Sequence, residues 1–438
     1  MQADSGPDKM ECRRSPLVVG KPVCVDTPGF LRDVQEICDS GNFTNNGPFN
    51  LKLEKQICDY LSVKFAVSVS NATKGIELVL RALKLGEGGE VIIPSYTFVA
   101  TAHAVVEAGL TPVFCDVSAE THLLLPEYIE NLISDRTVAV IAVNLWGLAC
   151  PKSILELAQR KKIHLIFDSA HAFGAVDEQG DLLGGSGTAS VFSMHATKLF
   201  NSFEGGIVTT NNETLARRLA SMRNFGITGQ DEIGLWGTNA KLSEIHAAFA
   251  YRQLQVIEET KAIFADHALK YKLELDKYHL TGVKYWNKKF LNTGCTHAYI
   301  CVQIEEQAPL TRDELMSELR KVDIYAKRYF FPGLHKLEYY SKRYTPSQPL
   351  VNTEILNRQV LVLPTGRGVT NGDIERVVWE IARIFHECSF KRSVTEGDIV
   401  VDSTRLHLRK KFVASKILAL QGEIREFQAE LELLDHNL

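Results

Sequence analysis

The feature that most constrains the fold is an alternation, between about residues 51 and 210, of short β-branched runs with longer segments of helical period. This alternation is typical of strands that cross over through helices into a mainly parallel sheet. The run from Val138 to Val143 is apolar throughout, as burial on both faces of a sheet requires. A helix is predicted over 75–85, and the seven predicted strands are 65–69, 90–93, 112–117, 138–144, 164–168, 190–193 and 206–210. We therefore predict an α/β chain built on a mainly parallel seven-stranded sheet.

Beyond this region the pattern changes to that of a smaller α+β unit. A charged helical stretch begins near residue 255, a strand-like segment covers 297–304, and an apolar helix covers 374–385. From Val413 to Leu434, apolar residues recur in steps of four and three, a heptad pattern typical of one long amphipathic helix. That helix either docks on its own subunit or forms a coiled coil between subunits. The predicted regions are a mobile leader (1–20), a large domain (21–265), a small domain (266–390) and a helical extension (391–438).

Composition excludes several classes of protein. With 45% apolar and 23% charged residues, the chain is globular rather than disordered or fibrous. A net charge of −4 predicts no strong attraction to nucleic acid or to an anionic membrane. No run reaches the ~18 apolar residues that a membrane span requires. The nine scattered cysteines never form Cys-x-x-Cys, which argues against a disulfide framework or a metal site and favours a cytoplasmic location.

Candidate site residues follow from the predicted sheet, because open sheets bind ligands outside the carboxyl ends of their strands. The segment from Ser68 to Gly75 follows a strand and precedes a helix, so its N–H groups and the Thr73 hydroxyl suit a phosphate. The same residues are also ordinary helix caps. Asp168 ends an apolar strand, with His171 just beyond it. An acid there would pair with a protonated pyridine nitrogen, or else it caps a helix beside a packed histidine.

Lys198 lies in a loop between two predicted strands, among apolar and hydroxyl residues. A partly desolvated amine there loses its proton more easily and can form a Schiff base, whereas the alternative is a solvated surface lysine. Ser193, five residues earlier, is a candidate phosphate donor. A fourth polar segment, from Gly237 to Glu244, caps a helix and by itself indicates little.

Together, a phosphate cradle, an acid for a pyridine nitrogen and an amine for a carbonyl match one cofactor, pyridoxal 5′-phosphate (PLP). The segment from Pro94 to Thr101 adds an aromatic residue, Tyr96 or Phe98, that would stack on the pyridine ring; core packing is the alternative.

These segments resemble those of the PLP-dependent sugar-nucleotide aminotransferases of the DegT/DnrJ/StrS type, which have the aspartate-aminotransferase fold (fold-type I). The resemblance covers about residues 22–388. The matching segments are Thr44–Pro48, Glu90–Thr101, Asp168–His171, Ser193–Lys198, Glu204–Gly206 and Gly237–Asn239. Enzymes that act at C4 of a dTDP-4-keto-6-deoxyhexose look more similar, on the segments Asn239–Lys241, Asn201–Gly206, Met222–Gly226 and Arg328–Gly333.

The resemblance implies a role for each matching residue. It assigns catalysis to Lys198, Asp168 and His171, cofactor binding to these three with Ala72, Thr73, Phe98, Ser193 and Asn239, and substrate binding to Lys241, Tyr329 and His335. Lys198 would be covalently attached to the cofactor, and Asp168 would pair with the pyridine nitrogen. Asn239 would reach the cofactor phosphate of the neighbouring subunit, which implies a homodimer with shared active sites.

The implied reaction is transfer of an amino group from L-glutamate to a nucleotide-linked keto sugar, at C4 of dTDP-4-keto-6-deoxyglucose. The same chemistry on a UDP- or GDP-sugar or at C3, and a noncatalytic sensor or assembly protein of the same fold, stay open. A sugar dehydratase is disfavoured, because relatives of that type are expected to replace the lysine with histidine. One segment departs from the family pattern: the usual His-Leu-Tyr-Gly is Asn144–Gly147, with Trp146 in place of the tyrosine.

Overall fold

The centre of the fold is a seven-stranded sheet, in a computed structural model that describes residues 15–395. The strands of the chain are β1 (Leu17–Val18), β2 (Phe65–Val69), β3 (Glu90–Pro94), β4 (Thr111–Cys115), β5 (Thr137–Val143), β6 (His164–Asp168), β7 (Ala189–Ser193), β8 (Gly206–Thr210), β9 (Ile227–Gly229), β10 (Glu232–Ile233), β11 (Val283–Tyr285), β12 (Ile300–Ile304), β13 (Ile324–Tyr325) and β14 (Val360–Leu363). The large sheet has the order β2-β8-β7-β6-β5-β3-β4. All neighbouring pairs are parallel except those of β8, which runs antiparallel to β2 and to β7. The prediction of a mainly parallel seven-stranded sheet is confirmed.

Helices connect these strands and cover both faces of the sheet. They are α1 (Thr27–Ser40), α2 (Pro48–Leu61), α3 (Ala72–Ala82), α4 (Val99–Glu107), α5 (Pro126–Glu130), α6 (Lys152–Lys161), α7 (Glu213–Met222), α8 (Glu244–Gln255), α9 (Ile257–Asp276), α10 (Arg312–Arg320), α11 (Glu338–Ser341), α12 (Val351–Gln359) and α13 (Asn371–Thr395). Alternate residues of β5 enter two separate apolar cores, with Val140 and Ala142 in one and Ala139 and Ile141 in the other. Both faces of this strand are therefore buried, which explains its unbroken apolar sequence.

Several element ends differ from the predicted ones for a local reason. Helix α3 begins at Ala72 rather than at 75, because the Asn71 side chain caps it by accepting a hydrogen bond from Lys74 N at 2.9 Å. The strand predicted over 297–304 begins at Ile300. The helix predicted over 374–385 is longer, since α13 runs from Asn371 to Thr395.

A second, smaller sheet contains three antiparallel strands in the order β11-β12-β14. It is linked to the large sheet by Asp116, the residue that follows β4. The Asp116 carboxylate accepts hydrogen bonds from Asn352 N at 2.9 Å and from Thr353 N at 2.8 Å. Because these are first-turn N–H groups, Asp116 is the N-terminal cap of α12 from a distant part of the chain.

The chain's first described segment is part of this fold. Strand β1 pairs in parallel with β13, and Val19 bridges to Thr365. Leu17 and Val19 are buried. The structure therefore differs from the predicted leader over 17–20, because these residues have backbone and core partners. The rest of the leader, 1–14, and the heptad positions of the extension lie outside the described residues. Within residues 15–395, no helix is long and apolar enough to cross a membrane.

Candidate active site

Asp168 is the last residue of β6, and its buried carboxylate is held by two hydrogen bonds. Thr101 Oγ1 donates to Oδ2 at 2.8 Å, and Ala170 N donates to Oδ1 at 3.1 Å. Burial raises the pKa of Asp168, while these hydrogen bonds and the charge of Lys198 lower it. The strand end therefore presents a fixed acid whose charge a nearby cation would stabilise.

Lys198 lies in the loop after β7, and its amine is partly removed from water. Burial lowers the pKa of Lys198 to about 8, and the charge of Asp168 opposes this shift. The Nζ atom is 2.9 Å from the hydroxyl of Tyr299, the residue that precedes β12. The amine is thus close to half deprotonated at slightly alkaline pH, and a neutral amine is the form that attacks a carbonyl.

Aromatic rings form one wall beside this amine. The ring of His171 lies 4.1 Å from that of Tyr299 and 5.6 Å, stacked, from that of Trp146, measured between centroids. Burial lowers the pKa of His171 well below its ordinary value, so the imidazole is neutral. Its buried Nδ1 atom has no hydrogen-bond partner among the residues that the structure describes, which leaves it available to a bound molecule.

Trp146, at the position where the chain departs from the family pattern, is fully buried behind His171. Its backbone is left-handed, with φ +60°, and its Nε1 donates to His122 Nδ1 at 3.0 Å. Burial lowers the pKa of His122 to about 3, so this histidine stays neutral and can accept that bond. The larger indole is therefore built into the wall rather than exposed to the site.

The two predicted substrate residues of the 328–335 segment have different surroundings. The ring of Tyr329 lies 6.2 Å from that of Trp146 and 6.2 Å from that of Tyr299, so it belongs to the same aromatic wall. His335 binds Ser95 Oγ through Nδ1 and Glu354 Oε1 through Nε2, both at 2.7 Å. Both of its ring nitrogens are engaged within the chain, and the histidine ties this segment to the loop after β3. Substrate binding by either residue stays a prediction.

The predicted phosphate residues converge at the start of α3. Ala72 and Thr73 are its first two residues, and Ser193, the last residue of β7, pairs with Gly206 of β8. A Cβ atom at Gly206 would lie 2.8 Å from Ala72 N, so only glycine lets the helix start approach the strand so closely. The first N–H groups of a helix have no partner within it, which makes this junction suitable for an anion.

The structure separates the two aromatic candidates after β3. Tyr96 is completely buried in the core, and its hydroxyl donates to Tyr329 O at 2.5 Å. Phe98 is 57% exposed at the start of α4, so of the two it is the ring that is free to meet a ligand.

Asn239 is exposed and therefore accessible to a second subunit. Lys241 donates to Asn224 Oδ1 at 3.0 Å, which gives its amine a structural partner.

Sequence reasoning missed several residues of this site. Thr101 lies inside the segment from Pro94 to Thr101, but its bond to Asp168 joins helix α4 to the end of strand β6, which sequence alone does not show. Arg223 donates to Ser68 O at 2.7 Å and to Asn46 Oδ1 at 2.6 Å, and so joins the phosphate segment to the loop before α2. Tyr299 carried no signal at all, because its contact with Lys198 exists only in the folded chain.

The lysine loop is fixed from outside by the beginning of the chain. Gly20 donates its N–H to Thr365 O at 2.8 Å and has φ +71°, a conformation that favours glycine. A Cβ atom at Gly20 would lie 2.5 Å from the carbonyl oxygen of Thr197, the residue before Lys198. The N-terminal segment thus packs directly against the backbone that carries the amine.

A seven-stranded α/β sheet with a buried acid and a desolvated lysine beyond its strand ends defines a fold-type I PLP-dependent transferase. Residues 26–382 match the model of the DegT/DnrJ/EryC1/StrS aminotransferase family. The dTDP-4-amino-4,6-dideoxy-D-glucose transaminase of Shigella dysenteriae is 33% identical over 379 residues, 84% of this chain and 99% of that protein.

Solved structures agree with this match. A crystal structure of DesI in the presence of its TDP-sugar product has a TM-score of 0.80 and 36% identity, covering 87% of this chain and 95% of DesI. DesV of S. venezuelae, solved in complex with a ketimine intermediate, has a TM-score of 0.74 and 29% identity, over 81% of this chain and 94% of DesV. The chain belongs to the DegT/DnrJ/EryC1/StrS aminotransferase family. It is a sugar aminotransferase of the PLP-dependent kind.

Proposed function

We propose that this enzyme binds PLP and transfers the amino group of L-glutamate to C4 of dTDP-4-keto-6-deoxyglucose, giving dTDP-4-amino-4,6-dideoxyglucose. The observation that carries the proposal is the desolvated Lys198 amine, with a pKa near 8, within electrostatic range of the buried Asp168. The names of the Shigella transaminase and of DesI with its TDP-sugar product support the sugar class and the nucleotide.

The residues present fit PLP by three independent features. The α3 start beside Ser193 suits the phosphate, and the Asp168 carboxylate suits a protonated pyridine nitrogen. The buried Nδ1 of His171, which has no hydrogen-bond partner within residues 15–395, is a polar atom that a ligand would satisfy. Ala72, Thr73, Ser193, Asp168, His171 and Lys198 would hold the cofactor, with Phe98 against its ring. When bound, PLP supplies an electron sink that makes the substrate C–H bond acidic.

The chain's own groups divide the remaining work. Asp168 keeps a negative charge at the strand end, and Thr101 and Ala170 N prevent the carboxylate from turning away. Lys198 Nζ takes and returns a proton, because a pKa lowered to about 8 leaves both protonation states populated at neutral to slightly alkaline pH. The neutral imidazole of His171 and the Trp146 indole behind it exclude water from one side of the amine.

The proposal includes a homodimer with shared sites in the cytoplasm. Asn239 is exposed, so it is free to reach a neighbouring subunit, and Lys241 lies two residues further along the same loop. The eight cysteines among the described residues are all free thiols, which supports a reducing compartment.

The decisive experiment charges the purified enzyme with L-glutamate and then supplies a panel of nucleotide-linked keto sugars. We expect the visible absorbance of the PLP-loaded enzyme to change on adding L-glutamate, and the dTDP-linked 4-keto sugar to yield the 4-amino product, identified by mass and NMR. Product from only a UDP- or GDP-sugar would overturn the nucleotide, and amination at C3 would overturn the position. No absorbance change with L-glutamate would overturn its role as donor.

Lys198→Ala tests the residue at the centre of the proposal. We expect turnover to fall by more than about 10³-fold, because one group supplies both the attachment and the proton transfer. Lys64→Ala, at an exposed position, is the matched control and keeps wild-type turnover. A Lys198→Ala enzyme with both turnover and the cofactor absorbance band intact would contradict the assignment.

A further inference from the structure

The amine of Lys198 has a specific neutral partner, the hydroxyl of Tyr299, at 2.9 Å. Tyr299 does not belong to the strand ends that supply Asp168 and Lys198. Tyr299 precedes β12 of the smaller sheet, whereas Lys198 follows β7 of the large sheet, so the contact joins segments that flank different sheets. None of the segments that carry the family resemblance contains it.

Packing fixes the Tyr299 ring in one place. The residue is 3% exposed, with the His171 ring on one side at 4.1 Å and the Trp146 ring at 5.4 Å, between centroids. Its backbone is also held, because the buried Asn287 donates from Nδ2 to Tyr299 O at 2.7 Å and accepts from Cys301 N at 2.8 Å. The position of the Tyr299 hydroxyl is therefore fixed, whereas the Lys198 amine is carried on a flexible stem of four carbons.

The hydroxyl remains neutral while it makes this contact. Burial raises the pKa of Tyr299 far above its ordinary value, so the phenol does not ionise near neutral pH. A neutral hydroxyl both donates and accepts. It accepts a hydrogen bond from the ammonium form of Lys198 and donates one to the neutral amine, so the contact survives when the amine gains or loses its proton.

We propose that Tyr299 is a positioning residue that holds Lys198 Nζ while the amine is free of the cofactor and fixes the direction from which that atom moves a proton. The inference rests on the proposed function, because it requires Lys198 to be the reacting amine. No proton passes between the two groups in this role. The ammonium donates a hydrogen bond to Oη, and after the amine has given its proton to substrate, the Oη–H group donates a hydrogen bond to Nζ.

The position of Lys198 Nζ affects the rate, because a group transfers a proton only when it lies within hydrogen-bond distance and in the correct direction. An amine on a flexible stem that lacks its hydroxyl partner samples other directions, including that of Asp168, whose charge attracts it. In this role the hydroxyl bonds to Nζ and not to substrate, so the loss is expected in the rate of the chemical step rather than in KM.

Tyr299→Phe isolates the hydroxyl, since phenylalanine keeps the ring that packs against His171 and Trp146. In the PLP-loaded enzyme, we expect the single-turnover rate with L-glutamate to fall about 10- to 100-fold, with KM within about threefold of wild type. In the cofactor-free enzyme, the Lys198 Cε signal, assigned by its loss in Lys198→Ala, reports the amine in a ¹³C NMR titration. The pKa of Lys198 falls below that of wild type, because the ammonium form loses a charge-assisted hydrogen bond.

Tyr285→Phe is the matched control. Tyr285 is in β11, beside β12, and its hydroxyl donates to Ala268 O at 2.8 Å. This variant loses a comparable hydrogen bond, so a similar fall in melting temperature is expected in both variants, while the rate and the Lys198 titration change only in Tyr299→Phe.

The two proposals fail in different ways. A folded Tyr299→Phe enzyme with the wild-type rate and the wild-type Lys198 titration would overturn the role of Tyr299, even if Lys198→Ala is inactive. If Lys198→Ala retains turnover, the proposed function itself fails. A rate loss of the same size in Tyr285→Phe would show a merely structural effect and would also overturn the inference.

Discussion

The large and small sheets contribute to the site in different ways. In the large sheet, Asp168 and Ser193 stand at or next to a strand end, where parallel strands present polar groups at one common edge. Tyr299, just before β12 of the small sheet, and Tyr329, in the segment after β13, reach the same place by packing against Trp146. The large-sheet side supplies the charged groups Asp168 and Lys198, whereas the small-sheet side supplies neutral rings that complete the wall beside them.

This difference separates chemistry from positioning. Removing a charged group at a strand end, such as the Asp168 carboxylate, removes an electrostatic interaction that the neutral neighbouring residues do not replace. Removing a neutral group of the aromatic wall leaves the charged groups present, but they are held less accurately in position. The comparison predicts large effects on rate from the first region, intermediate effects from the contact between regions, and small effects on stability from the linkage that joins them.

Asp168→Asn is expected to give the largest effect after loss of the lysine. Asparagine can keep the bond from Ala170 N through its oxygen and can donate from its amide nitrogen to Thr101 Oγ1. The negative charge is gone, however, and we expect kcat to fall by about 10²- to 10³-fold. The melting temperature should change by only a few degrees, because a buried charge is removed along with its desolvation cost. Steady-state kinetics and calorimetry measure both.

Asp177→Asn, in an exposed turn, is the control for this charge change and keeps the wild-type kcat. If Asp168→Asn were as active as wild type, the large-sheet side would not supply a charge that the reaction needs. The acid at the end of β6 would then have only a structural role.

The pH dependence of PLP uptake tests the contact between the two regions. The neutral amine is the reactive form, so its fraction rises about tenfold per pH unit well below the pKa of about 8 and levels off above it. We expect the rate at which the cofactor-free enzyme takes up PLP to follow this curve in stopped-flow absorbance between about pH 6 and about pH 9. A rate that is flat through this interval would show that desolvation does not set the state of Lys198.

Asp116→Ala tests the linkage that joins the regions and should give the smallest effect. The change leaves Asn352 N and Thr353 N at the start of α12 without their acceptor. We expect the free energy of unfolding to fall by about 1 kcal/mol, the typical loss for an N-terminal cap, with kcat nearly unchanged. Denaturant titration measures this difference. A loss of activity larger than the loss of stability would mean that α12 positions the wall directly.

Much of the large sheet was predictable because one physical signal determines it. A strand buried on both faces must be apolar throughout, so β5 and β6 are visible in sequence, and Asp168 stands out as the polar residue at the end of such a run. Lys198 and Ser193 were candidates from their positions at or next to a predicted strand, and the family resemblance then assigned them roles. Roles for individual residues remain predictions that the variants above will test.

The small-sheet half of the site was less predictable because its contacts are long-range. Tyr299 is one of 13 tyrosines, and nothing in its neighbourhood distinguishes it from Tyr285, which packs elsewhere. The choice between Tyr96 and Phe98 also needed the fold, since both follow the same strand and only one is buried. Burial by residues far along the chain decides such cases, and periodicity does not encode it.

The packing of Gly20 against Thr197 has a consequence for how the enzyme is made. Strand β1 finds its partner only when residues 324 and 325 have left the ribosome, although the lysine loop it braces is synthesised much earlier. A nascent chain therefore carries the reactive amine for some time without its brace. Pairing of β1 with β13 is therefore a late step of folding. Translation products that end before residue 324 would lack this pairing, and the loop that carries Lys198 would lack the packing of Gly20 in its native place.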